Sequence, residues 1–464
     1  MTEYRNKKVL VFGLGLLGGG VATVNWLVQR GAHVTVTDLK SRKELASSIA
    51  KIIGKIKYRL GGHTHDDIKT HDIIVVNPDV SIKNPLIQYA LKIGKIVQNE
   101  ATIFHENFPG DIVAITGTRG KTTTTLWANH LLGGMPRSSI AGNSTASPYL
   151  KILGSPKKSA VAVTEVSSYH LELFPTLRVP DIAIITNLSP DHLNRHGTLE
   201  NYAAIKARIF RNQTLHNALI LNANNRWTKF FLRQKPKSRI FFFSLRPLSR
   251  TQNGLFLSGK NIYFKNNGGS RKVFLLNNFT LGEHNIANLL AATLAAHLAG
   301  CSWQIIAKSI QTLPQPSLRQ EVVFKNKKLI VVNDTTATSP EGTVAAIKRF
   351  KSPSSVFIFG GTDRQLIFDD WAREVRKNIA QENVFFLAGS ATNKMLAALK
   401  WRKISGHVFS TLKECIQAAL TKSREYPRSF LVFSPAAKSF EKFKNEYDRG
   451  EQFTRVAKKL IAHV

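Results

Sequence analysis

Residues 113–125, VAITGTRGKTTTT, join two glycines, a lysine and a run of hydroxyls directly behind an apolar segment. These types at this spacing suit a loop that cradles phosphate. Glycines let backbone N–H groups turn inward, a lysine supplies charge for the β- and γ-phosphates, and a threonine hydroxyl can ligate Mg²⁺. The common pattern is G-x-x-x-x-G-K-[ST], and Ile115 stands where its first glycine would be. The shortened loop still offers Gly117, Thr118, Arg119, Gly120, Lys121, Thr122 and Thr123 to a nucleotide.

A second glycine-rich stretch, GLGLLG at 13–18, follows an apolar run and opens a helical pattern, and Asp38 lies twenty residues past Gly18. That context predicts a pyrophosphate at a helix N-terminus, with the carboxylate facing a ribose or a uracil ring. The plain structural alternative is a strand-to-helix turn that needs glycine. On this motif alone, an NAD(P)-dependent oxidoreductase is a second reading.

Ligands for Mg²⁺ should emerge from strand ends beside the phosphate loop. Glu165 closes one apolar run in TEVSSYHLE, while Asp191 and His192 follow another in SPDHLNRHG. Lys206, in the amphipathic stretch YAAIKARIF, reads by itself as a surface lysine whose stem lies along apolar neighbours. Arg319 and Asp334 flank the end of a proline-containing linker, TLPQPSLRQE, and SPAAKSFEKFKNEYDRGEQF at 434–453 reads as a polar loop and helix bordering a cleft.

The elements that must position these residues read as α/β. The chain has 464 residues, enough for two or three domains. Short apolar runs alternate with helical patterns, which predicts parallel sheets. Three domains are expected: 1–108, Rossmann-like; 109–314, a phosphate-loop domain with a parallel sheet and a small antiparallel sheet between 239 and 280; and 315–464, again Rossmann-like. No run of 18 apolar residues occurs and the N-terminus MTEYRNKKVL resembles no signal peptide. With only Cys301 and Cys415, no disulfide framework or thiolate metal spacing exists. A cytoplasmic monomer without a membrane span is expected. The net charge is +35. It raises nucleic-acid binding as a third reading, yet the basic residues are dispersed and no nucleic-acid motif accompanies them, so no specific nucleic-acid partner is expected.

Taken in order, T-G-T-x-G-K-T, E-V-S-S-Y-H-L-E, N-L-S-P-D-H-L, A-A-x-K-x-R-I-F, G-E-H-N, L-R-Q-E, N-D-T-T-A-T and S-P-A-A-x-S-F-x-x-F-K-N resemble the Mur ligase family of peptidoglycan synthesis. The resemblance covers nearly the whole chain, and that family's phosphate loop lacks the first glycine. It implies an ATP- and Mg²⁺-dependent amide ligase acting on UDP-N-acetylmuramoyl-L-alanine and glutamate, D-glutamate first, with L-glutamate or another amino acid open. By resemblance, Gly15, Leu16 and Leu17 meet the UDP diphosphate and Asp38 the uracil, with Asn143, Ser167 and His192 toward the sugar. Lys121, Glu165, His192, Lys206 and Arg319 carry the chemistry. Thr122, Glu165, His192 and Lys206, as a carbamate, hold metal. Asn285, Arg319 and Asp334 reach ATP, and Thr338, Arg364 and Ser439 the amino acid. A folylpolyglutamate synthase-like enzyme is an alternative that leaves the N-terminal loop without a role. The sequence departs from the family pattern at Leu318, Thr336, Arg364 and Glu446, all at the amino-acid end or beside Arg319.

Overall fold

The structure, a computed structural model, describes residues 2–134, 137–142, 148–154, 160–276, 282–400 and 407–462. It separates into two compact units, residues 1–279 with 285–314, and residues 280–284 with 315–464. Among the described residues the strands form three sheets.

The first sheet contains β1 (Lys8–Phe12), β2 (His33–Asp38), β3 (Lys57–Leu60), β4 (Ile73–Val76) and β5 (Ile96–Gln98). All are parallel, in the order β3-β2-β1-β4-β5. KVLVF and IIVV have the continuous apolar character of strands covered on both faces. Chain direction diverges between β1 and β4, so a crevice opens at the carboxyl end of β1, where GLGLLG begins. Gly18, at φ 93°, caps the helix Gly19–Gln29.

The second sheet lies in the same unit. It comprises β6 (Asp111–Thr116), β7 (Ser138–Gly142), β8 (Val161–Glu165), β9 (Ile182–Ile185), β10 (Ala218–Asn222), β11 (Arg239–Ser244), β12 (Gly254–Ser258), β13 (Asn261–Asn266) and β14 (Gly269–Leu275). Their order is β14-β13-β12-β11-β10-β9-β6-β8-β7. The expected antiparallel segment differs in detail. β11 runs parallel to both β10 and β12, and antiparallel pairing begins only at β12–β13 and β13–β14, extending the same sheet rather than forming another. The hairpin between β12 and β13 supplied the antiparallel texture, while β10, which gives β11 its parallel partner, was hidden in HNALILNANN. The outermost strand, β14, has a register shift against β13 and exposes Arg271 and Lys272.

The second unit holds β15 (Glu321–Lys325), β16 (Leu329–Asn333), β17 (Ser355–Phe359), β18 (Val384–Leu387), β19 (Val408–Phe409) and β20 (Ser429–Phe433), in the order β15-β16-β20-β17-β18-β19. β15 is antiparallel to β16 and the rest are parallel. Its core packs Phe359 edge-on against Trp371 and at a tilt against Phe386 on one face and buries Ile416, Leu420 and Phe453 on the other.

Candidate active site

β6 delivers the phosphate loop between β8 and β9, so the two strand ends read as metal-bearing are the two that flank it. The loop turns through Gly117 at φ 147° and Gly120 at φ 83°. Here glycine is required twice over. An added Cβ at 117 would collide with Thr186 Oγ1, and one at 120 with Asn288 Oδ1, besides the strain of a left-handed backbone. Helix Lys121–Leu131 starts directly after, with its first amides unpaired by any capping side chain, which favours an anion at that end.

Side chains beyond β9 lock the loop from behind. Asn187 Oδ1 accepts from Arg119 N at 3.0 Å, Asn187 Nδ2 donates to Arg119 O at 3.0 Å, and Thr118 Oγ1 donates to Ser189 O at 3.2 Å. Lys121 Nζ donates to the carbonyls of Gly117 and Thr118 at 3.0 and 3.1 Å. Thr123 is buried, and the buried Thr124 and Thr125 hydroxyls have no hydrogen-bond partner among the described residues. Asn187, Thr186 and Asn288 were not singled out from the sequence; the Asn in TNLS, at a strand end beside a phosphate loop, was the available signal.

Lys206 departs from its plain reading as a surface lysine. Its helix, Leu199–Ala207, buries it to 1% exposure. Nζ donates to Gly117 O at 2.9 Å and Thr116 Oγ1 at 3.4 Å, and lies 4.5 Å from the Tyr202 ring centroid. Burial, then the nearby Lys121 charge, pushes its ammonium pKa well below the usual lysine range. An amine whose charged form burial disfavours, set against the loop carbonyl, can act as a nucleophile toward CO₂ or ligate as a modified group.

Glu165 is also buried, at the end of β8, in register with Ile115 of β6. Its carboxylate has no hydrogen-bond or ion-pair partner among the described residues, although its carbonyl accepts from Tyr149 Oη at 2.7 Å. His192 sits at φ 53°, with Nδ1 3.0 Å from Tyr169 Oη and Nε2 3.7 Å from Asp191 Oδ2. Burial alone would raise the Asp191 carboxyl; Arg119, His192 and Lys121 together outweigh it and hold the group below its ordinary range. Arg119 Nη2 is 3.8 Å from the same carboxylate. Asn285 precedes by one turn the Asn288 that packs on Gly120, and the two amides pair at 3.3 Å. Asn143 lies outside the described residues.

At the other glycine loop, Leu16 and Leu17 are 52% and 59% exposed. Asp38 faces the loop's own backbone: Oδ2 accepts from Leu14 N at 2.8 Å and Gly15 N at 3.2 Å, and Oδ1 from Lys40 N at 2.9 Å. A carboxylate has about four lone-pair directions, so roughly one is left for a ligand. Ser167 caps helix Ser168–Leu171 and pairs with His170 Nδ1 at 2.8 Å; His170 Nε2 reaches Glu100 Oε1 at 3.3 Å.

In the second unit, Asp334, Thr338, Arg364 and Ser439 gather beyond the ends of adjacent strands β16, β17 and β20. Asp334 accepts from Gln320 N at 3.0 Å and Ser434 Oγ at 2.7 Å, and so braces the turn that carries Arg319. Leu318 and Gln320, either side of Arg319, both have positive φ. Burial pushes Asp334 up to about 7 despite those hydrogen bonds and Arg319. The Arg364 guanidinium lies 4.7 Å from the Phe440 ring centroid, and Ser439 Oγ is buried with no partner among the described residues. Thr336 Oγ1 donates to Leu318 O at 2.9 Å. Arg449, missed in the sequence, is buried beneath the 434–440 loop and donates to Ala437 O, Lys438 O and Thr335 O. Glu446 opens the helix Glu446–Ala462, where its carbonyl accepts from Thr335 Oγ1 at 3.0 Å.

Two family descriptions match: "Mur ligase MurD-like, N-terminal domain" over residues 7–98 and "Mur ligase middle domain" over 115–296. The chain is 36% identical over 468 residues to the UDP-N-acetylmuramoylalanine–D-glutamate ligase of Roseiflexus sp. (strain RS-1), covering 98% of this chain and 99% of that protein. The chain belongs to the Mur ligase family. Against the Koribacter versatilis protein of the same name, this Mur ligase is 32% identical, with coverages of 99% and 98%. Its fold is that of solved relatives: the UDP-N-acetylmuramate–alanine ligase MurC of Thermotoga maritima gives a TM-score of 0.60 at 17% identity over 98% and 100% of the two chains. MurF ligase from the same organism, solved with ADP, gives 0.59 at 16% over 100% and 97%. An amide-bond ligase of the ATP-dependent Mur type is therefore established, and none of these relatives supports the oxidoreductase reading. Among the described residues no helix is long and apolar enough to cross a membrane.

Proposed function

We propose that this Mur ligase joins glutamate, D-glutamate first, to UDP-N-acetylmuramoyl-L-alanine, as the name shared by its full-length relatives states for them. The observation that carries the reading is Lys206, a buried amine with depressed pKa set against the carbonyl of the phosphate loop. A ligase must phosphorylate a carboxylate before an amine can displace it. Lys121 and Arg319 would spread the charge of that transfer, each such donor typically being worth roughly 3–4 kcal/mol. The muramoyl-alanine carboxylate takes the γ-phosphoryl group as ADP departs. The neutral amine of glutamate then adds to the acyl carbon, and phosphate leaves from the tetrahedral intermediate.

Among the described residues no three His, Cys, Asp or Glu side chains cluster as a ready-made metal site. That fits Mg²⁺, which keeps several waters and borrows phosphate oxygens. Thr122, Glu165 (whose carboxylate has no partner among the described residues), His192 and Lys206 as a carbamate are the residues proposed to hold it, and when bound it neutralises charge on the transferring phosphate. Gly15, Leu16, Leu17, Asp38, Ser167 and His192 are proposed for the UDP-sugar. Gly117–Thr123, Asn285, Arg319 and Asp334 are proposed for ATP, and Thr338, Arg364 and Ser439 for glutamate. Each sheet is proposed to be one functional domain, 1–108, 109–314 and 315–464, working as a cytoplasmic monomer.

The test is phosphate release with ATP, Mg²⁺, UDP-N-acetylmuramoyl-L-alanine and each glutamate enantiomer, with products weighed by mass spectrometry. Product with D-glutamate alone supports the reading. Product only with another amino acid would reassign Thr338, Arg364 and Ser439, and no turnover by ATP-binding protein would sink the muramoyl substrate.

A further inference from the structure

The first unit contains a cavity of about 650 Å³ away from both glycine loops, a size within the usual ligand range. Its charged lining is Lys83, Arg195, Arg208, Arg211 and Lys235 against one carboxylate, Glu172. That carboxylate is already spent. Its Oε1 and Oε2 each accept from Arg195 at 2.7 Å, and Oε2 also accepts from Ile82 N at 3.0 Å. Arg208 is fixed by donating to Glu172 O at 2.6 Å. Lys83, Arg211 and Lys235 have no ion-pair partner among the described residues and are exposed. Four cations therefore converge on one concavity whose described lining holds no further carboxylate to balance them. Burial first, and then the neighbouring Arg211 charge, lowers the Arg208 guanidinium pKa, the sign expected where like charges crowd.

The cavity's relation to the active site follows from helical spacing. Asn201, Ala204, Ile205 and Arg208 line it at i, i+3, i+4 and i+7, one stripe of the chain that carries Lys206. At about 100° per residue, Ala204 and Arg208 point roughly opposite to Lys206, whose Nζ turns to Gly117. The cavity is thus the outer face of the same helix whose inner face touches the phosphate loop.

We propose that this cavity is a second anion site, taking a compact multivalent oxyanion of the phosphate type, separate from the nucleotide loop. Lys83 and Lys235 supply point charges from two loops, and Arg208 and Arg211 supply planar donors suited to paired oxygens. An occupant would tie the loop after β4 to the Lys206 helix.

The experiment is calorimetric titration of the full chain with inorganic pyrophosphate, without Mg²⁺, on four proteins: wild type, Arg211→Ala/Lys235→Ala, Lys121→Ala, and Lys327→Ala/Lys328→Ala. The last pair removes equal charge from an exposed turn of the second unit. The expected result is stoichiometric binding that the Arg211/Lys235 pair weakens at least roughly tenfold, while the Lys327/Lys328 pair leaves it within about twofold. A second, stoichiometric event should persist in Lys121→Ala. Binding that disappears with Lys121 alone would assign all of it to the nucleotide loop and overturn the proposal. Equal weakening by both double variants would reduce it to the general field of a +35 protein, and absence of binding in the wild type would end it. Thermal melts of each variant check folding. A misfolded Arg211/Lys235 pair is replaced by Lys83→Ala, for which the same tenfold threshold decides.

Discussion

The two glycine loops of the first unit use one backbone device with opposite electrostatics. Both follow a central parallel strand, and both hand over to a helix through a left-handed glycine, Gly18 at φ 93° and Gly120 at φ 83°. At GLGLLG the amides of Leu14 and Gly15 are consumed by the Asp38 carboxylate, and exposed leucines face outward. At TGTRGKT the bracing comes from neutral groups, Asn187 and Thr186, the charges added are Lys121 and Arg119, and the buried Lys206 amine, its charged form disfavoured by burial, reaches the Gly117 carbonyl from behind. On the proposed reading, the first loop would hold a diphosphate without altering it, and the second would set Lys121 and Arg119 where phosphoryl charge develops. Strand–glycine–helix geometry alone does not distinguish binding from catalysis; the groups that satisfy the loop from behind do.

Breaking the second loop has the largest expected effect. Lys121→Ala should lower phosphate release by roughly 10²–10³-fold with intact UDP binding, and a fall below tenfold would deny the lysine its role. Gly120→Ala, which combines positive φ with a collision at Asn288, should cost on the order of 1–3 kcal/mol in stability, read by urea denaturation, and abolish ATP binding in calorimetry. The first loop should respond more mildly. Asp38→Asn keeps one oxygen for the Leu14 and Gly15 amides but loses the charge, so UDP affinity should fall by roughly tenfold with ATP affinity unchanged. An effect on ATP would show that the loops are not separable.

Two buried titratable groups sharpen the contrast through pH. For Lys206 the folded pKa is depressed, so below the ordinary lysine value the unfolded chain binds an extra proton. Stability from this group is fully present above about 10.4 and is lost as pH falls toward the folded pKa. In CO₂-free buffer, Lys206→Met should therefore flatten the rise in unfolding free energy between pH 7 and 9, by up to about 1.4 kcal/mol per pH unit. Asp334 has the opposite sign. With a folded pKa of about 7 against an ordinary 3.8, the folded state holds the extra proton, so its contribution falls as pH rises between those values. Asp334→Asn should remove that decline, seen as a flatter denaturation midpoint from pH 4 to 7.

Much of this was readable in the chain. VAITG, AVAVTE and DIAIITN are apolar runs ending in polar residues, and the structure forms strands β6, β8 and β9 there. Lys206 could not be placed, because an amphipathic pattern says which face is apolar but not whether the opposite face meets water or a glycine loop. Asp38 was read toward a ligand because sequence spacing cannot show that two amides of the first loop point back at it. Strands β3, β7 and β10 escaped since KYRL, SSIAG and ALILN are short and poor in aromatics or interrupted by polar residues. Asn288 and Arg449 act across gaps of more than a hundred residues, beyond any local pattern.

The outer strand of the nine-stranded sheet has a bearing on handling. Arg271 and Lys272 project from β14, and its ladder to β13 slips at Ile262/Tyr263. A second molecule offering a strand there would meet like charge and an interrupted row of amides, which discourages edge-to-edge pairing. Part of the chain's basic surplus thus acts as colloidal protection, keeping the longest sheet from templating aggregates when the protein is concentrated.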